Sequence, residues 1–175
     1  RHASVDEVPW DSLTIGAMSK SAPPDATPMG RLSEASLHLV LGYQLAQATI
    51  VTNAVFAQRV GEPFELRPVE YTVLTLVHEN PDVSATRLAK ALAVSAPNIA
   101  AWVDRLETRG LVRRSPHATD RRAQHLRVTA EGARLANRAT RAVLDGEAGA
   151  LGALSKGERM ILIELLHKVA GKRSA

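Results

Sequence analysis

Between Asp82 and Gly132 the chain reads DVSATRLAKALAVSAPNIAAWVDRLETRGLVRRSPHATDRRAQHLRVTAEG, and the order of patterns in this stretch leaves few folds open. Leu88 and Leu92 share one helical face, and Ser84 sits where an N-cap belongs, just ahead of it. Ala93 and Val94 form a turn. Ser95 is a second N-cap, and Pro97 falls in the first turn of the next helix, where a missing N–H costs little. Ile99, Trp102, Val103 and Leu106 then repeat at i, i+3, i+4, i+7, an apolar stripe that must face a core. The opposite face carries Pro97, Ala101, Asp104, Arg105 and Thr108, with Asn98 at its flank. Gly110 stands where a C-cap glycine would end the helix. Leu111 to Arg114 and His125 to Val128 have the length of hairpin strands, and a polar loop from Ser115 to Arg122 joins them.

Helix, turn, helix and basic β-loop, in that order, predict a winged helix-turn-helix: a mainly α fold with a small β-hairpin wing. A helix of this kind fits the major groove of DNA, and a basic loop beside it reaches phosphates or the minor groove. Charge placement agrees. The net charge of +4 is modest, but Arg105, Arg109, Arg113, Arg114, Arg121, Arg122 and Arg127 fall within the module, opposed there by Asp104, Glu107 and Asp120. Neutralising phosphates with such side chains releases counterions and favours binding to a duplex. The plainer alternative is a solvated basic face on an arginine-rich protein.

The stretch resembles the MarR family (multiple antibiotic resistance regulators). The resemblance is carried by Leu88-Ala89, Val103-Asp104-Arg105-Leu106-Glu107, Arg109-Gly110-Leu111-Val112-Arg113-Arg114, Asp120-Arg121-Arg122 and Thr129-x-x-Gly132. It is strong over Pro68–Gly132, weaker over the flanking helices and absent before Leu32. It implies a homodimeric transcriptional regulator, a repressor in the first instance, that binds a palindromic operator in double-stranded DNA and is released by a small aromatic carboxylate or phenol.

Composition narrows the alternatives. A chain of 175 residues with 45% hydrophobic content suits one well-buried domain and not a disordered one. No apolar run approaches the ~20 residues of a membrane span, and the N-terminus lacks the basic-then-apolar layout of a secretory signal, so a cytoplasmic protein without membrane contact is expected. There is no cysteine, which removes disulfides, thiolate metal sites and cysteine redox sensing. His2, His38, His78, His117, His125 and His167 show no zinc-ligand spacing. Neither a glycine-rich phosphate loop nor a G-x-S-x-G elbow is present, and the carboxylates are scattered, so no enzyme, metal or cofactor is expected.

Four regions are read along the chain. Residues 1–31 form an N-terminal arm rich in Pro, Ser, Ala and Asp. It is either held in place, with Trp10 and Leu13 as anchors, or partly an expression remnant ahead of a start at Met18. Residues 32–66 form a dimerisation helix, running from about Ser33 to Gly61 with Leu37, Val40, Leu41, Leu45, Ile50, Val51, Val55 and Phe56 on a wide apolar surface. Residues 67–129 hold the DNA-binding module, opened by a helix from Pro68 to about Asn80. Residues 130–175 supply C-terminal dimerisation helices, one capped by Thr129 and ending near Gly146, the other opened by the capping box Ser155-x-x-Glu158 and carrying Ile161, Leu162, Leu165, Leu166 and Val169. Apolar surface at both ends exceeds what one small module covers. A two-fold dimer would cover it and match a palindrome; an enlarged monomeric core is the other solution.

Residues for DNA contact follow. Ser95, Ala96, Pro97, Asn98 and Ala101 belong to the groove-facing start of the recognition helix, and Asn98, able to donate and accept, is the best reader of a base edge. Ala100 and Ala101 depart from the family, which often has polar or basic residues there, so phosphate contacts and DNA shape should carry more of the recognition. Ser84, Thr86 and Arg87 suit phosphates, as do Arg105 and Arg113, and His117 and Arg121 stand at the wing tip. The resemblance implies that Asp104 pairs with Arg122 to brace the wing. For the effector it points to the region between the dimer helices and the module, where His38, Tyr43, Arg67 and Tyr71 are candidates, since a carboxylate wants Arg or His and a ring wants an apolar wall. Two other readings stay open: a winged helix used for protein–protein contact, and a constitutive DNA-binding protein without ligand sensing.

Overall fold

The structure, a computed structural model, describes residues 26–116 and 124–172. Two compact units divide at Ala46/Gln47. Trp10, Leu13, His117, Arg121 and Arg122 lie outside the described residues.

The first unit is a turn followed by a helix start. Ala26 bridges Ser33, and Thr27 closes the turn by accepting from the Leu32 N–H at 3.0 Å and donating to the Met29 carbonyl at 2.6 Å. The first α-helix, α1, spans Leu41–Phe56 and so begins eight residues after Ser33. Ahead of it the Glu34 carbonyl accepts from both Leu37 and His38 N–H groups, the His38 carbonyl accepts from the Gln44 side chain at 2.8 Å, and the Glu34 carboxylate accepts from the Tyr43 hydroxyl at 2.7 Å. These local bonds satisfy the backbone without a helix, which the apolar spacing of Leu37, Val40 and Leu41 could not reveal.

Nor does α1 run unbroken to Gly61. Ala57–Gly61 forms a π-helical turn, in which the Glu62 N–H reaches the Ala57 carbonyl, and a three-residue α2, Glu62–Phe64, follows. Pro63 explains the change of winding. It has no N–H, and in a regular α-helix its ring would crowd the Arg59 carbonyl, so a wider turn suits it. Glu65, at φ 51°, ends the segment.

The rest of the second unit follows the sequence closely. Helix α3 spans Pro68–Glu79, with proline in its first turn and Glu70 reaching back to accept from the Arg67 N–H at 3.0 Å. The two-residue strand β1, Val83–Ser84, leads into α4, Ala85–Leu92, where the Ser84 hydroxyl accepts from the Arg87 N–H. Ala93 adopts the left-handed conformation at φ 53° and turns the chain into α5, Ala96–Thr108. Gly110, at φ +67°, follows the end of α5 as a C-terminal glycine should. Strands β2, Val112–Pro116, and β3, Gln124–Val128, form the wing, and the sheet order is β1-β3-β2, all antiparallel. Helix α6 spans Ala130–Ala150, four residues beyond the expected end at Gly146, and α7 spans Lys156–Ala170 behind the Ser155–Glu158 capping box.

One core gathers Leu74 of α3, Leu88 of α4, the Ile99-Val103-Leu106 stripe of α5, Val112 and Leu126 of the wing, and Leu135, Ala136 and Ala139 of α6. Trp102 is only half-buried at its edge. The wing joins α6 at a tight corner. The Leu111 carbonyl accepts from the Thr129 N–H at 3.0 Å, and the Thr129 hydroxyl caps α6 by accepting from Gly132 N–H at 3.0 Å.

Candidate nucleic-acid interface

The helix-turn-helix presents one exposed edge of small side chains, with Ser95 and Asn98 as its polar members. Ser95, Ala96, Pro97, Asn98, Ala100 and Ala101 are all exposed, because burial of Ile99, Val103 and Leu106 fixes the rotation of α5 about its axis. Ser95 holds an extended N-cap backbone but its hydroxyl caps nothing, leaving it available for an outside acceptor. Asn98 donates its backbone N–H to the Ser95 carbonyl at 3.1 Å, and its side chain has no hydrogen bond among the described residues. Thr86 and Arg87 are exposed at the start of α4, whereas the Ser84 hydroxyl is occupied as a cap.

The arginines divide into two kinds. Arg114 sits two residues beyond buried Val112, so strand alternation turns it toward α5. There it pairs with Asp104 and, through Nη1, with Glu107 at 3.0 Å, while Glu107 also accepts from the Arg114 backbone N–H at 3.3 Å. Arg105 places Nε 3.0 Å from Oε1 of buried Glu70. Arg109 donates to the carbonyls of Glu65, at 2.7 Å, and Phe64, at 2.9 Å. Arg127 grips Asp82 with both ends of its guanidinium, at 2.6 Å for Nε, and this hydrogen bonding holds the Asp82 carboxyl below its ordinary range. Arg113 faces Arg127 across the β2–β3 ladder and is exposed; its side chain makes no hydrogen bond or ion pair among the described residues, although its charge helps to hold the Asp82 carboxyl low.

Arg105 and Arg113 therefore differ, although both were expected at phosphates: the first is drawn toward α3, the second is open. Arg122, the expected partner of Asp104, lies outside the described residues, as do His117 and Arg121; within those residues Asp104 pairs with Arg114. Sequence reasoning counted Arg109, Arg114 and Glu107 among the module's charges but missed what each pairs with, and missed Glu70. Two signals were available, the alternation from Val112 to Arg114 and the glutamate three residues after Arg67. The Arg109 grip on two carbonyls had none.

Asp104→Ala tests the pairing. Losing a carboxylate near DNA would tighten binding if Asp104 only repelled phosphate. Because Asp104 ties α5 to β2, a few-fold weakening is expected instead, with a coupling to Arg114→Ala near the upper end of the ~0.2–1 kcal/mol seen for exposed ion pairs. Tighter binding, or strict additivity in the cycle, would contradict that role.

The four effector candidates fall in different units. In the first, His38 is exposed and Tyr43 is bonded to Glu34. In the second, Arg67 is exposed at the N-cap of α3, and Tyr71 lies with its ring 5.6 Å from that of Phe56 and its hydroxyl 3.0 Å from the Thr140 hydroxyl. Among the described residues no helix is long and apolar enough to cross a membrane.

The MarR family profile matches residues 66–123. The transcriptional repressor CouR, solved bound to a 23-mer DNA duplex, is 32% identical, with a TM-score of 0.73 over 79% of this chain and 98% of its own. The chain belongs to the MarR family. It is thus a winged-helix, DNA-binding transcriptional regulator and not an enzyme. A probable transcriptional regulator from Pseudomonas aeruginosa is similar at 28% identity, with a TM-score of 0.67 over 76% of this chain and 98% of that one. The PcaV regulator of Streptomyces coelicolor, solved with its natural ligand, shares the fold at 23% identity and a TM-score of 0.69, over 81% of this chain and 99% of that one.

Proposed function

We propose that this MarR-family protein is a homodimeric repressor that binds a palindromic operator and lets go of it when a small aromatic carboxylate or phenol binds. The observation that carries the DNA reading is the 32% identity to a repressor solved on a duplex, joined to the exposed Ser95–Asn98 edge. In this reading that edge enters the major groove, Asn98 reads a base, and Thr86, Arg87 and Arg113 hold phosphates. Support for the dimer comes from α7, which has no buried residue although it carries Met160, Ile161, Leu162, Ile163, Leu165, Leu166 and Val169. An apolar helix that the chain itself leaves uncovered wants a second copy. The effector reading draws on the aromatic surface of Phe56 and Tyr71, with Arg67 exposed at the start of the same helix as Tyr71.

Footprinting on the DNA upstream of the protein's own gene, with analytical ultracentrifugation, tests this reading. A dimer protecting a two-fold symmetric site is expected. A stable monomer that shifts no promoter fragment at low salt would overturn it. On the operator so defined, Asn98→Ala should cost roughly 1–3 kcal/mol, with little change on random DNA. An equal loss on both would remove Asn98 from base reading.

A further inference from the structure

Glu70 is 3% exposed, yet it is a carboxylate with no apolar role. Its Oε2 caps α3 by accepting from the Arg67 N–H, a task that a neutral glutamine performs as well. Its Oε1 makes no well-directed hydrogen bond; what faces it is Arg105 Nε of α5, 3.0 Å away. A buried charge is retained at high desolvation cost unless a partner offsets it, and Arg105 is that partner. One turn further along α5, Arg109 holds the Phe64 and Glu65 carbonyls just ahead of α3. Residues 105 and 109 lie four apart, on one face of the helix. Two cationic contacts thus moor the recognition helix to the start of α3, on the side away from its tie to strand β2 through Arg114.

We propose that Glu70 is a positioning residue for DNA recognition: through Arg105 it sets the angle at which α5 presents Ser95–Asn98, so that its charge supports sequence discrimination and not bulk attraction to DNA. This rests on the operator-binding reading above. Glu70 never meets the duplex. It acts by holding a helix whose opposite end does, and a small rotation about the C-terminal turns displaces the N-terminal turn where bases are read.

The experiment compares wild type, Glu70→Gln, Arg105→Gln and the double variant for binding to the footprinted operator and to random duplex, across a salt series, alongside thermal melting. Glu70→Gln keeps the cap on Arg67 and removes the charge. Its operator affinity is expected to fall about tenfold, the size of one pairwise coupling of ~1.4 kcal/mol, while binding to random duplex holds or rises slightly. Glu70→Asp, which restores the charge on a shorter arm, should recover part of the discrimination, and the double variant should be no worse than the single ones. If Glu70 instead withholds Arg105 from phosphate, Glu70→Gln will tighten binding to both DNAs and steepen the salt slope, and the proposal is overturned. Equal loss on both DNAs in step with a lowered melting temperature marks a purely structural role and overturns it too. Unchanged discrimination in Glu70→Gln, with wild type binding normally, defeats this inference alone; wild type that binds no duplex defeats the operator reading beneath it.

Discussion

On the proposed dimer reading, Ile161→Glu combined with Leu165→Glu should convert the protein to a monomer and lower operator affinity by two orders of magnitude or more. The two side chains lie four apart on α7, both more than half exposed in the single chain, and α7 has no residue buried by its own chain. Burying one leucine or isoleucine is worth about 1.5–3 kcal/mol, and a two-fold interface counts each position twice. Introducing a carboxylate there replaces that gain with the cost of desolvating a charge, four times over in the assembly. Operator binding falls further than the dimer's own stability suggests, because each half-site alone keeps only the contacts of one module and the second is no longer delivered by the first. The capping box at Ser155 and Glu158 is left intact, so circular dichroism should show α7 still helical. A variant that remains dimeric in sedimentation velocity, or a monomer that binds the full operator as wild type does, would place the interface elsewhere.

Gly132→Ala, in the first turn of α6, should be the most damaging glycine-to-alanine substitution among the described residues. A Cβ at Gly132 would stand 1.9 Å from the Leu111 carbonyl oxygen and 2.8 Å from its carbon, a collision with backbone and not with a movable side-chain tip. That oxygen also accepts the Thr129 N–H, so relieving the clash breaks the bond that joins the wing to α6. Overpacking costs ~1–3 kcal/mol where side chains can shift, and the upper end or beyond applies where they cannot. Denaturant unfolding should show a lower midpoint, with Gly149→Ala, at an open position, as the control. A midpoint within experimental error of wild type would mean that the corner opens easily.

The two helices around Ala93, both wing strands and α6 were legible because each carries a local cause: Ser84 and Thr129 as caps, Ala93–Val94 as the turn, Gly110 at positive φ, and after it two runs of strand length joined by a polar loop. What was not legible depends on partners far away in sequence. Val83–Ser84 is too short to show alternation, and only pairing with β3 makes it a strand. The stretch from about Ser33 to Gly61 reads as one helix by its apolar spacing, but the Glu34 turn and the π turn before Pro63 interrupt it for reasons of backbone hydrogen bonding and proline sterics that hydrophobicity does not record. The same holds for the candidate interface. The exposed edge from Ser95 to Ala101 followed from the stripe opposite it, whereas the fate of each arginine depended on whether a carboxylate or carbonyl lay within reach of its tip.

Those occupied arginines bear on how such a protein would distribute itself in a cell. Arg105, Arg109, Arg114 and Arg127 each have an internal anion or carbonyl, so the cationic surface offered to a duplex is smaller than the arginine count suggests. A regulator with little indiscriminate hold on the chromosome leaves fewer copies stranded among the ~10⁶–10⁹ competing sites of a genome. On the operator reading proposed above, fewer copies would then be needed to fill the site, and a smaller loss of operator affinity would vacate it.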